Sequence, residues 1–256
     1  MIFHTFGDAS QPKMLLIHGV LCPWQMWNEA AAHYSDRFFI IVPELDGHTQ
    51  NLATRFHSVE DEAEEIEKYL SLLGITELDT VCGLSMGGRI AALLWKNGRV
   101  KINRLVMDGA PLVPAGGFVS RIVRDFYVDI VEKCKKRDPK TIENSRKHFL
   151  PASLTDDFLR LIDKMEGETI TNVCASVCGG DFPTDLSAEG MKILYLYGTK
   201  SNEMLSKKSA KLLKKHYPSA KRVRCGGMGH AELLCFHTPE WLQKVDAFLD
   251  GSSDET

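Results

Sequence analysis

Val81-Cys82-Gly83-Leu84-Ser85-Met86-Gly87-Gly88-Arg89-Ile90-Ala91 places a short apolar run, a glycine-flanked serine and the start of a helical run in immediate succession. The Gly-x-Ser-x-Gly pattern therefore falls where a strand turns into a helix, and this setting separates it from an ordinary glycine-rich turn. Glycine is needed on both sides, because a side chain there would crowd helix against strand and the serine itself must take a strained backbone. The hydroxyl then lies at the positive end of the helix dipole. Ser85 is the candidate nucleophile.

Outward from this turn, short β-type runs alternate with longer helical segments, the pattern of a mostly parallel sheet with helices on both faces. Strands are predicted at residues 2–6, 14–18, 38–42, 80–83, 104–108, 191–197 and 222–225. Residues 58–73 read as an amphipathic helix capped by Ser58 and stopped by Gly74, with the carboxylates from Glu60 to Glu67 expected on a solvated face. Between residues 111 and 187 the strand rhythm breaks, and helices are predicted near 118–136, 141–149, 155–165 and 169–178. Phe118, Ile122, Phe126, Tyr127, Phe149 and Phe158 give this insertion an apolar face that can settle on the upper edge of the sheet, which makes it a lid candidate. The tail, residues 251–256, reads as disordered.

A serine is a weak nucleophile at neutral pH and requires a base. Among nine histidines, His230 alone follows a late strand through a glycine-rich loop, Gly226-Gly227-Met228-Gly229, and precedes a final helix, 239–249. Two backbone N–H groups must also face the developing oxyanion. Met86 supplies one, and Val20, in the loop after His18-Gly19, is the candidate for the other. His18 is expected to hold that loop and not to act as a second base.

His18-Gly19 after an early strand, Gly83-Leu84-Ser85-Met86-Gly87-Gly88 in the middle and Gly227-Met228-Gly229-His230 near the end resemble the α/β-hydrolase superfamily over essentially the whole chain. Pro43-Glu44-Leu45-Asp46-Gly47-His48 is similar to the family's Pro-Asp-x-x-Gly-His turn, with Glu44 in place of the aspartate. The resemblance implies an α/β-hydrolase fold whose eight-stranded sheet is here shortened at its N-terminal edge. It also implies a helical cap inserted after the sixth strand. Residues 1–110 and 188–250 would form the core and 111–187 the cap. Most members place the triad acid just after the seventh strand, where this chain reads Gly198-Thr199-Lys200-Ser201-Asn202-Glu203. Ser201 or Asn202 occupies the usual aspartate position, and Glu203 lies one or two residues beyond. Asp108 ends the sixth strand, where other members, haloalkane dehalogenases among them, carry their acid. Glu203, Asp108 and neither of them all stay open.

The bulk properties limit partners more than they name them. Thirty-one basic against 34 acidic residues leave a net charge of −3, which gives no field to attract nucleic acid or an anionic membrane, so a small, largely uncharged substrate is expected. The first residues lack a secretory signal, and a cytoplasmic location is expected. The seven cysteines show no zinc-type spacing, so reduced thiols and no metal or cofactor are expected; Cys174 and Cys178, one helical turn apart, read as packing. Oligomeric state is open. Leu21, Trp24, Met26 and the aromatics of the insertion are candidates for pocket lining, although Trp24 and Trp27 suit the core better. The leading function is hydrolysis of a small carboxylic ester, thioester or amide through an acyl-enzyme. Acyl transfer, perhydrolysis, carbon–carbon hydrolysis on the same scaffold, or ligand binding without turnover are the alternatives.

Overall fold

The structure, a computed structural model, describes residues 1–251. The predicted disordered tail, residues 251–256, lies outside the described residues apart from Gly251. In chain order the elements are β1 (Ile2–Phe6), β2 (Lys13–Ile17), α1 (Asn28–Tyr34), β3 (Phe39–Glu44), α2 (Val59–Leu72), β4 (Glu77–Leu84), α3 (Met86–Asn97) and β5 (Lys101–Asp108). Four helices follow: α4 (Gly117–Lys135), α5 (Pro139–His148), α6 (Thr155–Lys164) and α7 (Thr169–Gly179). The chain closes with β6 (Lys192–Gly198), α8 (Met204–His216), β7 (Lys221–Cys225), α9 (Glu232–Phe236) and α10 (Thr238–Leu249).

Seven strands form one sheet in the order β1-β3-β2-β4-β5-β6-β7, parallel throughout except for β1, which runs antiparallel to β3. The central strands are apolar in consecutive positions, as in Met14 to Ile17 and Leu105 to Met107, because helices cover both faces and no position alternates out to water. Helix α3 lies across β2, β4 and β5 with α2 beside it, while α1 meets α10, where Trp27 packs edge-on against Trp241. Trp27 is thus a core residue, and Trp24 stacks on His4 of β1.

Strand β4 begins three residues before the apolar run that announced it. Glu77 and Asp79 are polar but pair with Lys101 and Arg104 across to β5, so charge complementarity extends the ladder where hydrophobicity does not. Helix α2 corrects the expected solvated acidic face. Glu62 and Glu67 are buried, Glu62 Oε2 accepting from the Asp46 N–H at 3.0 Å and Glu67 pairing with Arg99 at 2.8 Å. The four helices α4 to α7 lie between β5 and β6, and α4 packs chiefly on α7, α6 and α5. Cys174 and Cys178 are buried on α7. Among the described residues no helix is long and apolar enough to cross a membrane.

Candidate active site

Ser85 stands between β4 and α3 with φ 50° and ψ −111°, a conformation that is strained for a residue with a side chain. Its N–H donates to the Asp108 carbonyl at 2.7 Å, which ties the turn to the end of β5. A Cβ at Gly83 would lie 2.3 Å from the Gly87 carbonyl oxygen, and one at Gly87 would lie 2.2 Å from that of Ile17. Backbone meets backbone at both places, so only glycine lets helix and strand approach closely enough to raise the serine hydroxyl.

His230 is carried by the loop between β7 and α9, and Ser85 Oγ lies 2.8 Å from its Nε2. The imidazole rests against Gly109, where a Cβ would sit 2.9 Å from its Cε1. The loop is braced from the β6 side, since the Thr199 and Lys200 N–H groups donate to the Met228 carbonyl at 2.8 and 3.0 Å. Lys200 also pairs with Glu232, whose carboxylate accepts from the Gly229 N–H.

Glu203 ends a short 3-10 turn, Ser201–Glu203, and is buried with Oε1 3.5 Å from His230 Nδ1. That is an ion-pair distance, longer than a formed hydrogen bond. Asp108 is buried too, at the end of β5, and no hydrogen bond joins its side chain to His230 among the described residues. Burial pushes the Asp108 carboxyl up to about 7, helped by the nearby Glu203 charge. Burial is the largest influence on Glu203 and works against its ionisation, but the neighbouring His230, Ser206 and the Gly198 backbone together outweigh it and hold the carboxyl below its ordinary value. For His230, burial disfavours the cation, yet the nearby Glu203 carboxylate together with the charge of Asp108 prevails and raises its pKa. Ser201 and Asn202, at the usual aspartate position, face the cavity above the serine.

Met86 is the first residue of α3, so its N–H has no acceptor within the helix. Val20 lies on the wall of the cavity that Ser85 faces, in a turn where the Cys22 N–H donates to the Gly19 carbonyl and Leu21 takes φ 56°. His18 is fully buried, Nδ1 donating to the Gly19 carbonyl at 2.9 Å and Nε2 accepting from the Leu45 N–H at 3.2 Å. Burial pulls its pKa down to about 3, so it is a neutral strut between two loops.

Above Ser85 and His230 lies an apolar cavity of about 420 Å³. Val20, Cys22, Val119, Val123, Phe126, Tyr127, Phe149, Met204 and Leu205 are among its walls. A second cavity of about 120 Å³ also reaches Ser85 and is lined by Pro111, Val173, Cys174, Val177 and Cys178. The expected lining needs correction. Leu21 is buried elsewhere, Trp24 stacks on His4, Met26 borders a different surface pocket and Phe158 is core. Phe118 and Ile122 are exposed. Phe126, Tyr127 and Phe149 are on the wall as expected, and Val119 and Val123 join Tyr127 at i, i+4, i+8 spacing on one helix, a signal present in the sequence.

Comparison with known proteins bears on the fold. A family model described as alpha/beta hydrolase fold matches residues 12–234. An uncharacterised protein of Mycobacterium tuberculosis is 36% identical over 110 residues, 43% of this chain and 30% of the relative. A 3-oxoadipate enol-lactonase of Acinetobacter baylyi is 26% identical over 87 residues, 34% of this chain and 32% of that protein. The matched stretches thus span about a third of the length of these curated relatives. A thermophilic esterase of Thermogutta terrifontis superposes with a TM-score of 0.73 at 19% identity, covering 98% of this chain and 93% of the esterase.

Proposed function

The chain belongs to the alpha/beta hydrolase fold family, and we propose that it is a serine hydrolase that cleaves carboxylic esters through an acyl-enzyme. The observation that carries this reading is the 2.8 Å contact between Ser85 Oγ and His230 Nε2 on the wall of an apolar cavity. His230 accepts the hydroxyl proton as Ser85 Oγ attacks the ester carbonyl carbon. The carbonyl oxygen becomes an oxyanion held by the Val20 and Met86 N–H groups. Collapse expels the alkoxide, which takes the proton from His230, and leaves the acyl group on Ser85. Water, deprotonated by His230, repeats the addition and releases the acid with Ser85 restored.

Glu203 is the acid of this scheme, because its carboxylate is the one that faces His230 Nδ1 and is held ionised. Asp108 has another role, anchoring the serine turn through its carbonyl. Helices α4 to α7, within residues 111–187, act as the cap over the cavity. The esterase and the enol-lactonase among the similar proteins both point to ester-type carbonyls as substrates.

The test is labelling by a fluorophosphonate together with turnover of a panel of p-nitrophenyl esters. Wild type is expected to label and turn over, and Ser85→Ala to do neither. Glu203→Gln is expected to lose about two orders of magnitude in kcat or more, against a far smaller loss in Asp108→Asn. Labelling that survives in Ser85→Ala would overturn the assignment of the nucleophile, and the reverse ranking of the two acid variants would overturn that of Glu203.

A further inference from the structure

Helix α4 is apolar over more of its circumference than the cavity requires. Val119 and Val123 face the cavity above Ser85. Beside them runs a second stripe of Phe118, Ile122 and Phe126, at i, i+4 and i+8, which are 76%, 53% and 53% exposed. Phe126 belongs to both faces, since it is half exposed and also lines the cavity. Met204, 42% exposed, is likewise on the cavity wall. The apolar surface therefore leaves the cavity at Phe126 and continues outside it for two helical turns, about 12 Å at 1.5 Å per residue. Large apolar side chains grouped at a pocket mouth mark a binding surface, where scattered single ones would not.

We propose that this stripe is the outer half of the substrate site and that it takes the hydrocarbon chain of a single ester molecule, so that the preferred substrate is an ester with one long unbranched apolar arm. The proposal rests on the reading of Ser85 as the reacting residue. Continuity argues for a chain as the occupant, because the stripe joins the cavity wall through Phe126 without a polar break on that face. A chain whose carbonyl sits at Ser85 would emerge along it. Covering Phe118 and Ile122 would remove apolar surface from water at each added methylene, which is the source of chain-length preference.

The experiment uses the Phe118→Gln/Ile122→Gln double variant, placed in both the wild-type and the Ser85→Ala background. Neither residue lines the cavity, so p-nitrophenyl butyrate turnover should be unchanged and serves as the control for folding. Dissociation constants for butyl and decyl methyl ketone, kept below their aggregation concentrations, are measured in the Ser85→Ala background, where binding does not depend on catalysis. The decyl compound is expected to bind roughly tenfold more weakly to the double variant and the butyl compound equally well. Phe118→Leu/Ile122→Val should restore most of the decyl affinity.

In the wild-type background, kcat/KM for the decanoate ester should fall in parallel with butyrate spared. Equal decyl binding in both proteins would overturn the proposal. So would an effect seen only with phosphatidylcholine vesicles, which would make the stripe a lipid-surface contact. A wild-type dimer that becomes monomeric in the double variant would make it a self-interface. Stripe-dependent ketone binding without any ester turnover would instead overturn the hydrolase reading and leave the chain site standing.

Discussion

His230 is held between two opposing influences, and its pKa is the point at which they become measurable. Burial favours the neutral ring, while the Glu203 contact at 3.5 Å and the charge of Asp108 favour the cation and prevail. Only the neutral ring can accept the Ser85 proton, so a raised pKa moves the acid limb of activity to higher pH, above the ordinary histidine value near 6.5. In Glu203→Gln the main raising influence is gone and burial remains, so the limb of kcat/KM should move to lower pH even as its plateau falls. Asp108→Asn should move it in the same direction but less. A limb unmoved in Glu203→Gln and lowered in Asp108→Asn would assign the acid to Asp108. The meeting of Ser85 and His230 was legible in the sequence because Gly83 and Gly87 frame the serine where backbone meets backbone, and Gly227, at φ 73°, turns the loop that carries the histidine. Which carboxylate lies beside the histidine ring was not legible. It depends on the turn Ser201–Glu203 carrying Glu203 back beneath the histidine, a path that no residue periodicity encodes.

Helices and strands were legible wherever one face is uniformly apolar, and their ends were lost where a neighbour supplies the reason for order. Glu77 and Asp79 lengthen β4 only because Lys101 and Arg104 stand opposite. Glu62 shows the same limit on α2, since its helical pattern was clear and its burial was not: the group that receives it, the Asp46 N–H, lies on a distant loop. Burial and the nearby Asp46 charge push the Glu62 carboxyl up to about 9, so it is protonated in the fold at neutral pH. In the unfolded chain it ionises near 4.3. The contribution of this group to stability is therefore full below that value and is lost progressively as pH rises toward 9. Glutamine keeps the shape and the acceptor but cannot ionise. Glu62→Gln should melt at a higher temperature than wild type at pH 8, with a gain that shrinks toward pH 5. A melting difference that does not change with pH would show that Glu62 is charged in the fold.

At the scale of the molecule, the four inserted helices are attached to the sheet unequally. Helix α7 is stitched down: Asn172 donates to the Phe56 carbonyl at 3.0 Å, and Ser176 Oγ accepts from the Val59 N–H at 2.8 Å. Just beyond it, the buried Arg89 of α3 reaches the Asp181 carbonyl at 3.4 Å. Helix α4 lies over the cavity and packs mainly on the other inserted helices, with its entry held by the Ala115 N–H on the Cys178 carbonyl at 2.9 Å. Segments with few buried contacts to the core open locally at a lower free-energy cost than the rest. Amide hydrogen exchange should therefore be faster in α4 than in α7. Because α4 carries Val119, Val123 and Phe126 on the cavity wall, a fluorophosphonate adduct on Ser85 should slow exchange in α4 and leave α7 nearly unchanged. Equal exchange in both helices, with equal response to the adduct, would mean that the insertion moves as one body. Access to Ser85 would then require α7 to leave the Phe56 and Val59 backbone as well, at the cost of every bond that holds it there.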